Sequence, residues 1–169
     1  MPLAMPSAIS EPLHGAVLAL NNAHATELSP LDADGLRALL KGAFHARCLG
    51  DLEAFLVALD EKHPTYASPN YRWFQARRSG FVYVDRVVVA VSARGKGLAR
   101  LLYADLIERA RTAGHASIVC EVNLDPPNPA SDAFHKALGF RQVGTAAIHG
   151  SSKRVRYLEL PLQDKTATM

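Results

Sequence analysis

The sequence predicts a mixed α/β fold, a sheet flanked by helices, on three observations. A strongly β-prone run, Phe81 to Val89, leads through a glycine-bearing turn at residues 94–99 into an amphipathic helix that reaches Gly114. Strand and helix signals keep alternating up to Leu138. Two more β-prone runs, Phe140–Ile148 and Arg154–Leu160, then close the chain as a hairpin through His149 to Ser152. Alternation followed by a terminal strand pair is the pattern of a mixed sheet with helices on its faces.

Ahead of this region the signals are shorter. Ala16 to Leu20 is an apolar run suited to a strand. Ser29-Pro30-Leu31-Asp32 reads as a helix entry, with Ser29 as N-cap, Pro30 at the first helical position, and Leu36, Leu39 and Leu40 as the apolar stripe. Apolar runs at Arg47–Leu49 and Ala54–Leu59 flank the turn-prone pair Gly50-Asp51, and the second run fits a strand or a short helix equally well. Lys62 to Gly80 is polar, holds Pro64 and Pro69, and carries Tyr66, Tyr71, Trp73 and Phe74; it reads either as a lid over a substrate site or as a packed loop with one helical turn. Leu98, Leu101, Leu102, Leu106 and Ala110 form the core stripe of the long helix. Ser117 to Val122 is a buried-type strand, and Pro129 to Leu138 a helix that Gly139 ends.

The 169 residues match one domain, taken as 11–162, with 1–10 and 163–169 as flexible ends. Apolar residues at 49% and charged ones at 21% describe a soluble globular protein. No apolar run is long enough to span a membrane, and Met1 to Ser10 lacks the charged and apolar regions of a secretory signal. Cys48 and Cys120 lie far apart without metal-ligand or redox spacing, so they read as reduced, buried thiols, with no metal and a cytoplasmic setting. The net charge is +3; residues 1–90 hold eight Lys/Arg against nine Asp/Glu, and residues 91–169 eleven against seven. No dense basic stripe with interleaved aromatics appears, which excludes nucleic acid as the expected partner. The bias in the second half suits a small polyanion.

The turn at 94–99 is the most informative stretch. Free N–H groups at a helix start, with the positive end of the helix dipole, favour a phosphate, and Gly95 and Gly97 let the backbone approach it closely. The P-loop of nucleoside-triphosphate binders needs Gly-x-x-x-x-Gly-Lys-Ser/Thr, which is absent. A dinucleotide fingerprint needs Gly or Ala where Arg100 stands.

The stretch does match Gln/Arg-x-x-Gly-x-Gly/Ala, with Arg94, Gly97 and Ala99 at the specified positions, five residues beyond the strand end Val87-Val88-Val89. Further on, Asn128 to Phe140 follows Asn-x-x-Ala-x-x-Phe/Leu-Tyr-x-x-x-Gly-Phe at Asn128, Phe134, Gly139 and Phe140. In both motifs the chain resembles the GNAT superfamily of N-acetyltransferases, closely over residues 80–160 and by element order before that. The resemblance implies a mostly antiparallel sheet whose splayed fourth strand holds acetyl-CoA. Two departures stand out: His135 replaces the family tyrosine, and the connection Asn123 to Pro127 is longer by about two residues.

The resemblance further implies direct transfer of acetyl from acetyl-CoA to an amine, without a covalent acyl-enzyme. Val87, Val88 and Val89 would pair with the pantetheine arm, and an N–H near Val89 would steady the oxyanion. Arg94, Gly95, Lys96, Gly97, Leu98 and Ala99 would hold the pyrophosphate. Asn128 would bond the coenzyme or simply cap its helix. Lys96, Arg100 and Lys136 would meet phosphates or solvent. An amine with pKa near 10.4 is only about 0.04% neutral at pH 7, a handicap of roughly 4.6 kcal/mol that a base reduces. Glu121 matches the base of GNATs that acetylate protein N-termini, against a reading as a solvated or ion-paired glutamate; Asp85 and Tyr83 are the reserves. His135 would return a proton to the thiolate, or be a helix-surface residue with water taking that part. The acceptor would be a protein or small-molecule amine. A homodimer is compatible with the sequence. A catalytically silent coenzyme-binding sensor or scaffold is the alternative that the missing tyrosine raises.

Overall fold

The computed structural model describes residues 5–24, 28–148 and 153–162. The turn expected at 149–152 and the tail expected at 163–169 lie outside the described residues. So does the start of the expected flexible N-terminus, but Ser7–Ala8 within it form a strand.

Seven strands make one sheet in the order β1-β2-β3-β4-β5-β7-β6. They are β1 Ser7–Ala8, β2 His45–Leu49, β3 Ala54–Asp60, β4 Phe81–Val89, β5 Ser117–Asp125, β6 Arg141–Ala147 and β7 Arg154–Pro161. The helices are α1 His14–Ala23, α2 Ala33–Gly42, α3 Pro69–Gln75, α4 Leu98–Thr112 and α5 Pro129–Leu138. The sheet is mostly antiparallel; β4 with β5 is a parallel pair, in register from Phe81↔Ser117 to Tyr83↔Val119. The mixed α/β class expected from the sequence is what forms. Two compact units divide the chain, Met1–Asp60 with Val84–Arg109 and Glu61–Tyr83 with Ala110–Met169.

In the first unit, β1 pairs with β2 and β2 with β3, both antiparallel. The ambiguous run Ala54–Leu59 is a strand, buried on both faces, and the backbone groups of β2 satisfy one of its edges. Two expectations fail here. Ala16–Leu20 is part of α1: Ala and Leu dominate it, and Val17 and Asn21, four residues apart, are its fully buried positions. The N-cap of α2 is Asp32, not Ser29, because the Asp32 carboxylate accepts the Gly35 N–H at 2.7 Å. The Ser29 carbonyl instead accepts from Asn21 Nδ2 and from the Arg86 guanidinium, each at 3.1 Å.

α4 runs close to its expected length and ends at Gly114, whose φ of +84° suits the left-handed stop. Its buried residues are Leu98, Leu102, Tyr103, Leu106 and Ala110; Leu101, expected in the stripe, is half-exposed, and Tyr103 takes a fully buried place instead.

In the second unit, β5 pairs with β7 and β7 with β6. The longer connection after β5 is partly strand, since Leu124 is an extra residue between the pairs Asn123↔Val155 and Asp125↔Arg154. α5 begins and ends where its capping residues predict, at Asn128 and at Gly139 with φ +102°. The Lys62–Gly80 segment holds α3, capped by Ser68, and Gly80 N–H donates to Glu61 at its far end at 2.8 Å. Cys48 and Cys120 are both buried thiols.

Candidate functional site

The candidate site residues fall into two sets, one in each unit. In the first unit, Arg94 to Gly97 are exposed and lead into α4, with Leu98 buried and Ala99 half-buried behind them. Gly95 and Gly97 have φ of +82° and +75°, a region side-chain-bearing residues rarely enter. A Cβ placed on either would meet no protein atom within 4 Å, so the space before this backbone is open. The first N–H groups of α4 have no intrahelical acceptor. Arg94, whose guanidinium reaches His24 at 3.4 Å, and Lys96, 3.3 Å from Glu53, flank the loop at the surface. Open amides, a helix start and exposed cations fit the pyrophosphate of acetyl-CoA. Val87 and Val89 are half-buried on one face of β4, and Val88 is buried on the other.

Asp85, a reserve base, is an ion-pair partner of Arg86 at 2.7 Å, and its side chain is 3% exposed. Arg86 also holds Asn21 and the Ser29 carbonyl, so this carboxylate serves the packing of the first unit.

In the second unit, Glu121 stands half-buried in β5, paired across the strands with Tyr157 of β7. The Tyr83 hydroxyl lies 2.9 and 2.8 Å from the two Glu121 carboxylate oxygens and donates to them. Asn70 of α3 donates its amide N–H to Glu121 Oε1 at 3.1 Å and accepts the Tyr157 O–H at 2.9 Å. Glu121 is thus a carboxylate held by defined donors. Tyr83, the other reserve base, is one of those donors.

Aromatic rings surround this centre. The Trp73 indole stacks on Tyr157 with centroids 4.2 Å apart and carries the Arg77 guanidinium 4.3 Å from its ring. Tyr71, Phe74 and Phe81 pack edge-on or tilted behind Tyr83. Tyr71 is fully buried and its hydroxyl accepts the His63 N–H, so α3 presents Trp73 and Asn70 to the centre and Tyr71 to the core. Burial and the nearby Glu121 charge push the Tyr157 phenol up to about 12, against the opposing charge of Arg77. Asn70 and Tyr157 were not legible as site residues; their only signal is the cross-strand register and the placement of α3.

His135 is not a helix-surface residue. It is 5% exposed, packed edge-on against Phe134 and Phe140, with Nδ1 2.7 Å from the Ser131 carbonyl. Burial lowers its pKa, while the Ser131 carbonyl and the Asp132 charge pull the other way. Asn128 caps α5, accepting the Ser131 N–H at 3.3 Å. Among the described residues no group of three or more His, Cys, Asp or Glu could hold a metal ion, and no helix is long and apolar enough to cross a membrane.

Comparison with known proteins agrees with this architecture. Residues 35–140 match the acetyltransferase (GNAT) family. No protein of curated function matches the chain significantly by sequence. Among solved structures, the ribosomal-protein-S18-alanine N-acetyltransferase of Escherichia coli superposes with a TM-score of 0.72 at 16% identity, covering 99% of each chain. A Salmonella typhimurium protein determined with its cofactor acetyl-CoA gives 0.70 at 20% identity over 96% of each chain. A chain of the NatC complex bound to Gag peptide and CoA gives 0.73 at 17% identity, covering 95% of this chain and 99% of that one. At these identities the likeness is one of fold, and the family match spans more than half of the sequence: the chain belongs to the acetyltransferase (GNAT) family.

Proposed function

We propose that the protein is an acetyl-CoA-dependent N-acetyltransferase in which a primary amine attacks the thioester directly within a ternary complex. The observation that carries this reading is the Glu121 centre: a half-buried carboxylate held by Tyr83 and Asn70 among aromatic rings. An ammonium group is attracted to a carboxylate and to aromatic faces alike. Glu121, directly or through water, takes the proton that the amine must lose. The new N–C bond forms as the C–S bond breaks, and the thiolate leaves as the coenzyme product.

On the coenzyme side, the amides from Gly95 to Ala99 with Arg94 and Lys96 hold the pyrophosphate, and Val87 to Val89 offer backbone groups to the pantetheine arm. Asn128 lends its amide to the coenzyme while its oxygen caps α5.

The return of a proton by His135 has less support. At neutral pH a ring with a lowered pKa carries one N–H, and the Ser131 carbonyl at 2.7 Å claims it at Nδ1. Water is the better donor to the thiolate.

The acceptor is a protein or small-molecule amine. An amine-library screen that follows release of free coenzyme thiol tests the function. Turnover with at least one amine is expected. Coenzyme binding with no turnover across amino acids, polyamines and N-terminal peptides would leave the silent sensor in its place.

A further inference from the structure

We infer that Asn70 is a positioning residue that orients the Glu121 carboxylate and ties it to the acceptor-side helix α3. This rests on the reading of Glu121 as the base.

The two bonds of Asn70 determine each other. An ionised carboxylate can only accept, so the amide nitrogen must face Glu121, and the carbonyl oxygen is then turned to the Tyr157 hydroxyl. Tyr157 O–H to Asn70 Oδ1, then Asn70 Nδ2–H to Glu121 Oε1, is a directed chain from β7 through α3 to β5. Tyr83 completes it from β4, with its O–H between the two carboxylate oxygens. Ionisable groups around Glu121 include Tyr83 and Tyr157, and the Arg77 charge acts on Tyr157.

The chain also links base and pocket wall. Trp73 stands three residues after Asn70 on α3 and stacks on the same Tyr157 whose hydroxyl Asn70 accepts. Residues three apart share a helix face. A shift of α3 by an incoming acceptor would therefore move an aromatic wall and a hydrogen-bond donor of the base together.

Donors to the charged form favour ionisation, and a second carboxylate at this distance opposes it. In the folded protein without acceptor, carbon NMR titration of the glutamate side chains reads Glu121 directly, its signal being the one lost in Glu121→Gln. Asn70→Asp is expected to raise the Glu121 midpoint by about one pH unit or more. Asn70→Ala should raise it by less and lower kcat roughly 10-fold with an amine found by the screen. Tyr157→Phe should move the midpoint in the same direction again, since the amide is no longer held one way round.

If Asn70 only anchors α3, Asn70→Ala and Tyr157→Phe will lower the melting temperature and leave the midpoint unchanged, and the inference is wrong. Should Asn70→Asp not fold, Asn70→Leu, close in size and without a donor, reads the loss of the donor instead. Full activity of Glu121→Gln at pH 7 would remove the base assignment instead, while the titration would still report what Asn70 does to the carboxylate.

Discussion

Gly144 of β6 leaves the space that the Trp73 indole fills: a Cβ at position 144 would lie 2.5 Å from Trp73 Cζ2 and 2.8 Å from Cη2. Gly144 stands at a register shift in the β6–β7 pair, where the strand bends, so a local irregularity of the sheet makes room for the aromatic wall. Gly144→Ala must displace the indole from its stack on Tyr157. Overpacking of this kind costs about 1–3 kcal/mol. We expect a lower melting temperature and a higher KM for the acceptor, with the KM for acetyl-CoA unchanged. Equal rises in both would mean that the damage is general.

Glu121→Gln should lower kcat by roughly 10²–10⁴ at neutral pH, the usual consequence of losing a general base. The loss should shrink as pH rises, because the amine then deprotonates unaided. Rate–pH profiles of both proteins check this, and a parallel pair of curves would contradict it.

Gly97 separates ligand contact from backbone strain. Its φ of +75° suits Asn among side-chain-bearing residues, and no protein atom stands in the way of a Cβ. Gly97→Asn should therefore fold, at a modest cost in stability. Acetyl-CoA, expected to bind the natural protein at micromolar levels or better, should lose most of its affinity because the side chain occupies the approach to the amides. Calorimetry on both proteins decides; unchanged affinity would free the loop from that role.

His135 gives a pH dependence of stability. Its folded-state pKa is lowered, so protonation favours the unfolded chain. The stability it contributes is present above the unfolded value of about 6.5 and is lost as pH falls below that toward the folded value. Urea midpoints should decline on acidification through this window, and less steeply in His135→Gln. His45, also lowered by burial and bonded to Asp105 at 3.0 Å, accounts for slope that remains. Identical slopes in the two proteins would place the effect elsewhere.

Legibility in the sequence followed local signals. β4 and α5 have the expected bounds because a β-branched run and two capping residues, Asn128 and Gly139, mark them without help from the rest of the chain. Ala16–Leu20 misled because an apolar run of five residues has no period that separates strand from helix. Ser29 misled because its carbonyl is engaged by Asn21 and Arg86, residues distant in sequence. The turn that leads into α4 and the place of Glu121 within a strand were legible from local pattern. Asn70 and Tyr157 were not, because what brings them to Glu121 is a strand register and the placement of a seven-residue helix.

That helix also constrains how such a protein can change its diet. Segments between sheet strands are ordinarily where a lineage alters what it recognises while leaving its chemistry alone. Here the segment from Lys62 to Gly80 supplies both the indole that walls the centre and the amide that holds its carboxylate. A descendant that exchanged the segment for a new acceptor would lose a support of the Glu121 carboxylate in the same event. Variation is then expected to spare Asn70 and to settle on neighbours such as Arg72, exposed on the same helix and free to differ without cost to the carboxylate.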